Sequence, residues 1–414
     1  VGRLTDDCFA FGGQSMGVEA AAALIQARVA PLTDTEAVPL QAARGRVLAE
    51  RLIAPGALPP FFNAAVDGYA FAHRGGAALR LPVAGRVAAG AAPPPLIPGT
   101  AMRIFTGAAM PAGADTVLMQ EDAILEGDTL LLLPAGLRPG ANCRPAGEDV
   151  ARGATALAAG TRLGPAEIGL AAALGLAFLP CTRRLRVGVF STGDELAAPG
   201  TVLGPAQTFD SNRFTLLALL GGLPVEACDL GILPDQPAAT AAALAAAAAT
   251  HDLLLTSGGV SAGEEDHVRA AIEGAGRLVF WRLAVKPGRP AAMGMVAGTP
   301  VLGLPGNPVA AVVCFLHLAR PLILRLVGAQ EEALPRFPAV ADFHHRKKPG
   351  RREYLRVRLR RQNALVLFAD KFDREGAGML TSLTQSHALC ELPEALECVR
   401  PGDTVLVLPF SALF

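Results

Sequence analysis

The run Leu253-Leu254-Leu255-Thr256-Ser257 stops in Gly258-Gly259-Val260-Ser261-Ala262-Gly263, and Glu264-Glu265-Asp266 follows at once. A short apolar run closed by glycines and followed by a helix start reads as a buried strand of a helix-covered sheet. Such a turn exposes backbone N–H groups at the carboxyl end of the strand, which suits a phosphate or another oxyanion. The acids beside it would repel an anion unless a divalent cation or basic residues intervened. The segment therefore suggests a metal-assisted site for a phosphorylated ligand. Glycine-rich turns of this kind also serve packing alone.

The same rhythm runs through the neighbouring chain. Arg186-Val187-Gly188-Val189-Phe190-Ser191 reads as a buried strand, with Thr192-Gly193-Asp194-Glu195-Leu196 at its end. Asp210-Ser211-Asn212 is placed to cap a helix through Leu220, and Gly221-Gly222 to end it. A strand from Pro224 to Asp229, an Ala-rich helix introduced by Asp235 and Pro237, and a strand from His251 to Thr256 follow. Asn307-Pro308 opens a long helix toward Val327, which Pro321 should kink. Strands alternating with helices predict a multi-domain α/β chain whose central parallel sheet is flanked by helices, with ligands at the carboxyl ends of the strands.

Residues 15–50 read as helical, and Glu167 to Leu176 as a further helix behind Pro165. Between Ile53 and Asp149 short apolar runs are cut by Pro and Gly, which suits an inserted, small β-rich domain. Beyond Gly328, Tyr354, Arg356, Arg358 and Arg360 alternate with Leu355, Val357 and Leu359, a half-buried strand of a small C-terminal β-barrel-like domain. The expected division is a discontinuous helical and extended linking domain (1–50 and 148–182), the β-rich insertion (51–147), the α/β domain (183–328) and the C-terminal β domain (329–414).

A chain of 414 residues exceeds one ordinary core. Lys plus Arg and Asp plus Glu both number 37, so nothing draws the whole chain toward nucleic acid. No apolar run reaches the ~20 residues that span a bilayer, so no membrane partner is expected. Seven scattered cysteines without a CxxC pair favour a reducing compartment, and the chain reads as cytoplasmic.

Several residues stand where either chemistry or local structure would place them. Asp67 in Asn63-Ala64-Ala65-Val66-Asp67-Gly68-Tyr69-Ala70 suits a turn that bonds its own backbone. Thr106, in Arg103-Ile104-Phe105-Thr106-Gly107, is a ligand candidate or a turn residue. Glu195 suits either Mg²⁺ or a helix start, while Asp235 and Asp266 suit either a cap or a ligand. Trp281-Arg282-Leu283-Ala284-Val285-Lys286-Pro287-Gly288-Arg289-Pro290 puts Arg282 and Lys286 on one face of an extended segment, at an even separation. They could neutralise an oxyanion, or belong to a solvated edge strand. Leu304-Pro305-Gly306-Asn307-Pro308 is a ligand loop or a plain helix start, and His344 to Arg352 forms a basic cluster that reads as a solvated loop.

Taken in order, these motifs resemble the MoeA family of molybdopterin molybdenumtransferases, which includes the gephyrin E domain. The resemblance rests on Asp67-Gly68-Tyr69-Ala70, Thr106-Gly107, Gly147-Glu148-Asp149 and Ser191-Thr192-Gly193-Asp194-Glu195-Leu196. It continues through Ser257-Gly258-Gly259-Val260-Ser261, Lys286-Pro287-Gly288-Arg289-Pro290 and Leu304-Pro305-Gly306-Asn307-Pro308. It implies an L-shaped homodimer that inserts molybdate into adenylylated molybdopterin, releasing AMP with Mg²⁺. Glu195, Asp235 and Asp266 would then serve metal, nucleotide or catalysis, and Arg282 and Lys286 would hold molybdate or phosphate. Asp67, Thr106 and Asp149 would come from the insertion of the opposite chain. Thr192, Gly193, Ser257, Gly258, Gly259, Ser261, Pro305, Gly306 and Asn307 would line the pterin site. Molybdopterin adenylyltransferase and other cofactor-assembly proteins are the further partners it suggests.

Arg282 stands where the family pattern has lysine, Gln236 where an acid often follows Asp235, Val66 where methionine is usual, and Ala310 where serine is frequent. An adenylyltransferase of molybdopterin, a nicotinamide-nucleotide hydrolase of the competence-damage family and a non-catalytic pterin-binding scaffold are the competing readings. The inserted and C-terminal segments favour molybdenum insertion over the first two. The acids Asp67, Glu195, Asp235 and Asp266 favour it over the third.

Overall fold

The computed structural model describes residues 15–32, 34–74, 79–132, 137–233, 236–259, 268, 272, 274, 276–361 and 366–414. Its largest sheet has seven strands in the order Ser15–Met16, Gly276–Leu283, Pro290–Val296, Thr299–Leu304, Leu253–Ser257, Leu185–Thr192 and Val225–Leu233. The last four are mutually parallel, as the strand and helix rhythm requires. The sheet as a whole is mixed, because Pro290–Val296 runs antiparallel to both of its neighbours. The cause is local: Ala297 and Gly298 both have positive φ (49° and 84°) and reverse the chain in a two-residue hairpin turn.

Helices cover both faces. Val18–Arg28, Asn212–Leu220 and the run from Pro308 to Leu326 bury one face around Leu216, Leu255, Leu302 and Phe315. Pro237–Ala248 covers the other around Phe190, Leu244 and Leu254. The run Pro308–Leu326 is long and apolar enough to cross a membrane by length and hydropathy, but 83% of that window is buried inside the protein, as in a core helix. At Pro321 the run also changes its winding. The proline has no N–H to offer the His317 carbonyl, and residues Phe315–Ala319 just before it form a π turn.

The helical reading of 15–50 holds only for Val18–Arg28. Val29 is already extended, and Thr35–Pro39 is a strand paired antiparallel with Phe178–Thr182. With Leu52–Ile53 against Thr155–Leu157 and the helix Pro165–Ala173, it encloses a small core of Val38, Leu48, Leu163 and Leu179. Between these segments lies a six-stranded sheet ordered Thr116–Met119, Gly68–Phe71, Ala101–Ile104, Leu79–Val87, Thr129–Leu132 and Ile124–Glu126.

The C-terminal strands form a closed barrel. Arg352–Arg361 pairs with Leu367–Lys371, then Phe337–Ala341, Thr404–Pro409 and Ala388–Leu392 follow, and the last returns to Arg352–Arg361. Closure leaves no edge within the ring, and the small interior is filled by Ala339, Ala341, Val357, Ala369, Ala388 and Val407. The other face of Arg352–Arg361 is buried as well: Tyr354 packs against His317, with ring centroids 4.8 Å apart and the rings tilted by 32°.

His317 is enclosed, and its Nε2 has no hydrogen-bond partner. Burial, reinforced by Arg336 and Arg352, pushes its pKa down to about 3 from the usual 6.5. The unfolded chain therefore takes the proton first, and stability falls as pH drops below 6.5 toward 3. Between pH 7 and pH 5, His317→Gln should lose about 2 kcal/mol less stability than the unaltered chain, whatever its own baseline. Urea unfolding at the two pH values measures this, and equal losses would refute it.

Candidate functional site

Three parallel strands, Leu185–Thr192, Leu253–Ser257 and Thr299–Leu304, lie side by side, with Ser191 opposite Ser257 and Ser257 opposite Leu304. Their carboxyl ends therefore bring together Thr192-Gly193, Ser257-Gly258-Gly259 and Pro305-Gly306-Asn307. Gly258 and Gly259 have φ of 90° and 64°, in the left-handed region. A Cβ on Gly259 would stand 2.6 Å from Val268 Cγ2 and 2.8 Å from Thr192 Oγ1, so only glycine fits.

Asn212, in the first turn of its helix, ties two of these turns. Its Nδ2 donates to Ser257 Oγ (2.8 Å) and to the Gly306 carbonyl (2.7 Å). The Gly258 N–H is also used inside the protein, donating to the Leu304 carbonyl at 3.1 Å. Thr192 Oγ1, in contrast, is buried beside Gly259 without a partner. An unpaired buried hydroxyl costs about 1–3 kcal/mol, and here it sits where a ligand would meet the turn. The exposed Glu195 folds its carboxylate back against Gly193, whose φ is 142°.

Asp210, which sequence reasoning treats as a helix cap, accepts Ser191 Oγ (3.1 Å), the Arg213 N–H (3.2 Å) and Arg213 Nε (2.8 Å). It fixes the end of the strand from behind. Asp235, Ser261 and Asp266 lie outside the described residues, although the N-cap of the Ala-rich helix is Gln236 rather than Asp235. Asn307 is an N-cap whose side chain makes no capping bond.

A second locus lies on the six-stranded sheet. Asp67 accepts the Thr106 N–H and the Thr106 hydroxyl, both at 2.7 Å. Those two bonds, aided by Arg103, hold its carboxyl below the usual range, so Asp67 is presented ionised. Tyr69, Arg103 and Arg86 lie in register across three strands beside it, with the Arg103 guanidinium 5.2 Å from the Tyr69 ring centroid and 4.9 Å from that of Phe105. Asp149 is exposed, and no hydrogen bond links it to Asp67 or Thr106. Among the described residues, no hydrogen bond or ion pair joins this locus to the glycine turns.

The third locus separates two residues that were expected on one strand. Arg282 has its backbone in the seven-stranded sheet, opposite Ser15 and Pro290, and its side chain lies outside the described set. Lys286 belongs to Val285–Lys286, which pairs with the barrel strand Arg352–Arg361. The chain changes sheets at Ala284, so the even spacing does not put the two on a common face. Lys286 Nζ lies 2.6 Å from Glu353 Oε1, at the wall of a cavity of about 390 Å³ also lined by Arg346, Lys347, Lys348 and Arg351. The basic cluster keeps His344, Arg346 and Lys348 exposed, as a solvated loop would, and also lines this cavity.

Arg356 was missed too. It donates to Ser382 Oγ and to the Gly376 carbonyl, both at 3.0 Å, ordering the loop whose Ala377 carbonyl meets the Val309 N–H. Among the described residues no three His, Cys, Asp or Glu gather as a metal cluster.

Converging glycine turns at the carboxyl ends of the strands of an α/β sheet, with a cationic cavity at the barrel junction, are the arrangement that suits an enzyme with a phosphorylated or oxyanionic ligand. Comparison with known proteins places it further. Residues 16–175 match the model of the MoeA N-terminal region (domains I and II), 188–325 that of a probable molybdopterin binding domain, and 338–410 that of the MoeA C-terminal region (domain IV). A molybdopterin molybdenumtransferase of Haemophilus influenzae is 39% identical, over 92% of this chain and 95% of its own. One from Nostoc is 36% identical, over 91% and 88%. The solved molybdopterin biosynthesis MoeA protein of Pyrococcus horikoshii superposes with a TM-score of 0.80 at 30% identity, over 96% of this chain and 100% of that one. The chain belongs to the MoeA family of molybdenum cofactor biosynthesis, and with its relatives it is a transferase.

Asn212→Ala removes both ties between the glycine turns. It should cost about 1–3 kcal/mol of stability by leaving buried partners unpaired, and weaken pterin binding. Denaturant unfolding and pterin titration read the two effects, and unchanged pterin affinity would exclude a role for this tie in the site.

Proposed function

We propose that this chain inserts molybdenum from molybdate into adenylylated molybdopterin and releases AMP, as a cytoplasmic, Mg²⁺-dependent homodimer. The observation that carries this reading is the set of glycine turns tied by Asn212 around the unpaired Thr192 hydroxyl. Such a cradle suits the pyrophosphate of an adenylylated pterin. Ser257, Gly258, Gly259, Ser261 and the Pro305-Gly306-Asn307 turn would line it. Lys286 and Arg282 would meet molybdate, each supplying a cation where oxyanion charge must be balanced.

Glu195 supplies carboxylate oxygens and Thr192 an unpaired hydroxyl oxygen at the turn, the hard donors that Mg²⁺ takes. These donors fit the ion, and Glu195, Asp235 and Asp266 would hold it. When bound, Mg²⁺ neutralises charge on the phosphoanhydride and on departing AMP. The two sulfurs that ligate molybdenum come with the pterin, which agrees with a chain whose Cys314 and Cys390 are buried and held protonated.

Asp67 is held ionised by Thr106, and Arg103 is the other charged group acting on it among the described residues. Asp67 and Thr106 would complete the site of the second subunit, together with Asp149. Molybdopterin adenylyltransferase would be the supplier of substrate.

The test incubates the protein with adenylylated molybdopterin, molybdate and Mg²⁺, and follows AMP and molybdenum-pterin together. Both products should appear, and each should be lost in Asp67→Ala and in Glu195→Ala. Mixing the two inactive variants should restore turnover, because one site of the mixed dimer is then intact. Pterin binding without products would instead favour a scaffold. No recovery on mixing would place Asp67 and Glu195 in the same subunit's site.

A further inference from the structure

We propose that Glu353 is a built-in counter-ion that competes with the substrate oxyanion for Lys286 and so sets how tightly the barrel-junction cavity holds its anion. The inference rests on the reading of Lys286 as an oxyanion ligand and adds a regulator to it. Strand register makes the pair, since Lys286 stands directly opposite Glu353. The two differ in freedom: the Glu353 side chain is 5% exposed, the Lys286 side chain 48%. The carboxylate is fixed, and the ammonium is free to turn toward an arriving anion.

The carboxylate is fixed from behind. His345, itself buried, places Nε2 3.3 Å from the same Glu353 oxygen, while its Nδ1 faces Lys371 Nζ at 3.0 Å. An ammonium can only donate, so Nδ1 is the acceptor and Nε2 carries the hydrogen directed at Glu353. The alignment at Nε2 falls short of a full hydrogen bond, which makes this an electrostatic contact. Burial alone would raise the Glu353 pKa; the contacts from His345 and Lys286 outweigh it and hold the group at about 2. Glu353 is therefore charged at any working pH.

Among the described residues it is also the one acid lining the cavity, with Lys286, Arg346, Lys348 and Arg351. Lys347 is already spent on the carbonyls of Pro393 (2.8 Å), Glu394 (3.3 Å) and Leu396 (2.8 Å). Removing the Glu353 charge frees Lys286 and raises the positive charge of the wall by one. A merely structural carboxylate would act the other way, since its loss would loosen the wall and weaken binding.

Calorimetric titration of molybdate, with phosphate and sulfate as competitors, separates these cases. Glu353→Gln should bind molybdate about tenfold more tightly, by a Coulomb gain of one charge at short range. Glu353→Asp, which keeps the charge but draws it back, should fall between the two and serves if the Gln variant does not fold. Lys286→Met should bind weakly, alone or combined with Glu353→Gln. Equal or weaker binding by folded Glu353→Gln, with Lys286→Met still weak, overturns the counter-ion role alone. Undiminished binding by Lys286→Met overturns the oxyanion reading and the inference together.

Discussion

Ala284 is the single residue between strands of two different sheets, and the junction of those sheets turns on it. Its N–H donates to the Met16 carbonyl beside the seven-stranded sheet, at 2.8 Å. Its carbonyl accepts the Arg352 N–H of the barrel, also at 2.8 Å. One buried residue thereby pairs its N–H with one sheet and its carbonyl with the other, as buried backbone groups must. The splice fixes the barrel against the α/β sheet and puts Lys286 opposite Glu353. It leaves Arg282 on the other side of the break, so two cations close in sequence are committed to different structural units.

The glycine turns depend on a different balance. Positive φ at Gly258 and Gly259, and the close approach to Val268 and Thr192, leave no room for a side chain. The turn gains definition by donating its Gly258 N–H to the Leu304 carbonyl and by accepting the Asn212 amide N–H at the Ser257 hydroxyl. What stays unpaired is the Thr192 hydroxyl, together with the Asn212 Oδ1 and the Thr256 hydroxyl. A fold that leaves these buried polar atoms unpaired around the turn bears a small cost at the place where a bound ligand would repay it.

The parts of this architecture legible in the sequence are those with local causes. Apolar runs ending in glycine marked the strands Leu185–Thr192 and Leu253–Ser257, and the strict alternation after Glu353 marked the barrel strand. Contacts between distant segments were not legible. The helix from Val18 had to end before Thr35–Pro39 because that strand's partner, Phe178–Thr182, lies far along the chain. Arg356 looked like an outward arginine by alternation, yet a loop from 374 to 382 folds over it. Asn212 read only as a helix start, since its bonds to Ser257 and Gly306 exist only once three strands are aligned. The basic cluster after His344 is solvated as read, but nothing local says that it shares a cavity with Lys286 and Glu353 across the splice.

The acids Asp67 and Glu353 hold their charge by opposite means, and the difference bears on what each can do. Asp67 is on the surface, ionised by two short bonds from Thr106, and its charge is screened and available to whatever approaches. Glu353 is buried, and there a charge acts strongly on its neighbours because little water intervenes. A surface carboxylate suits contact with a second body, a subunit or a ligand. A buried one suits setting the potential of a cavity it does not enter. The chain thus distributes its electrostatic work: an outward-facing acid on the six-stranded sheet, a cradle at the sheet edge, and a cavity whose net charge is adjusted from within the barrel.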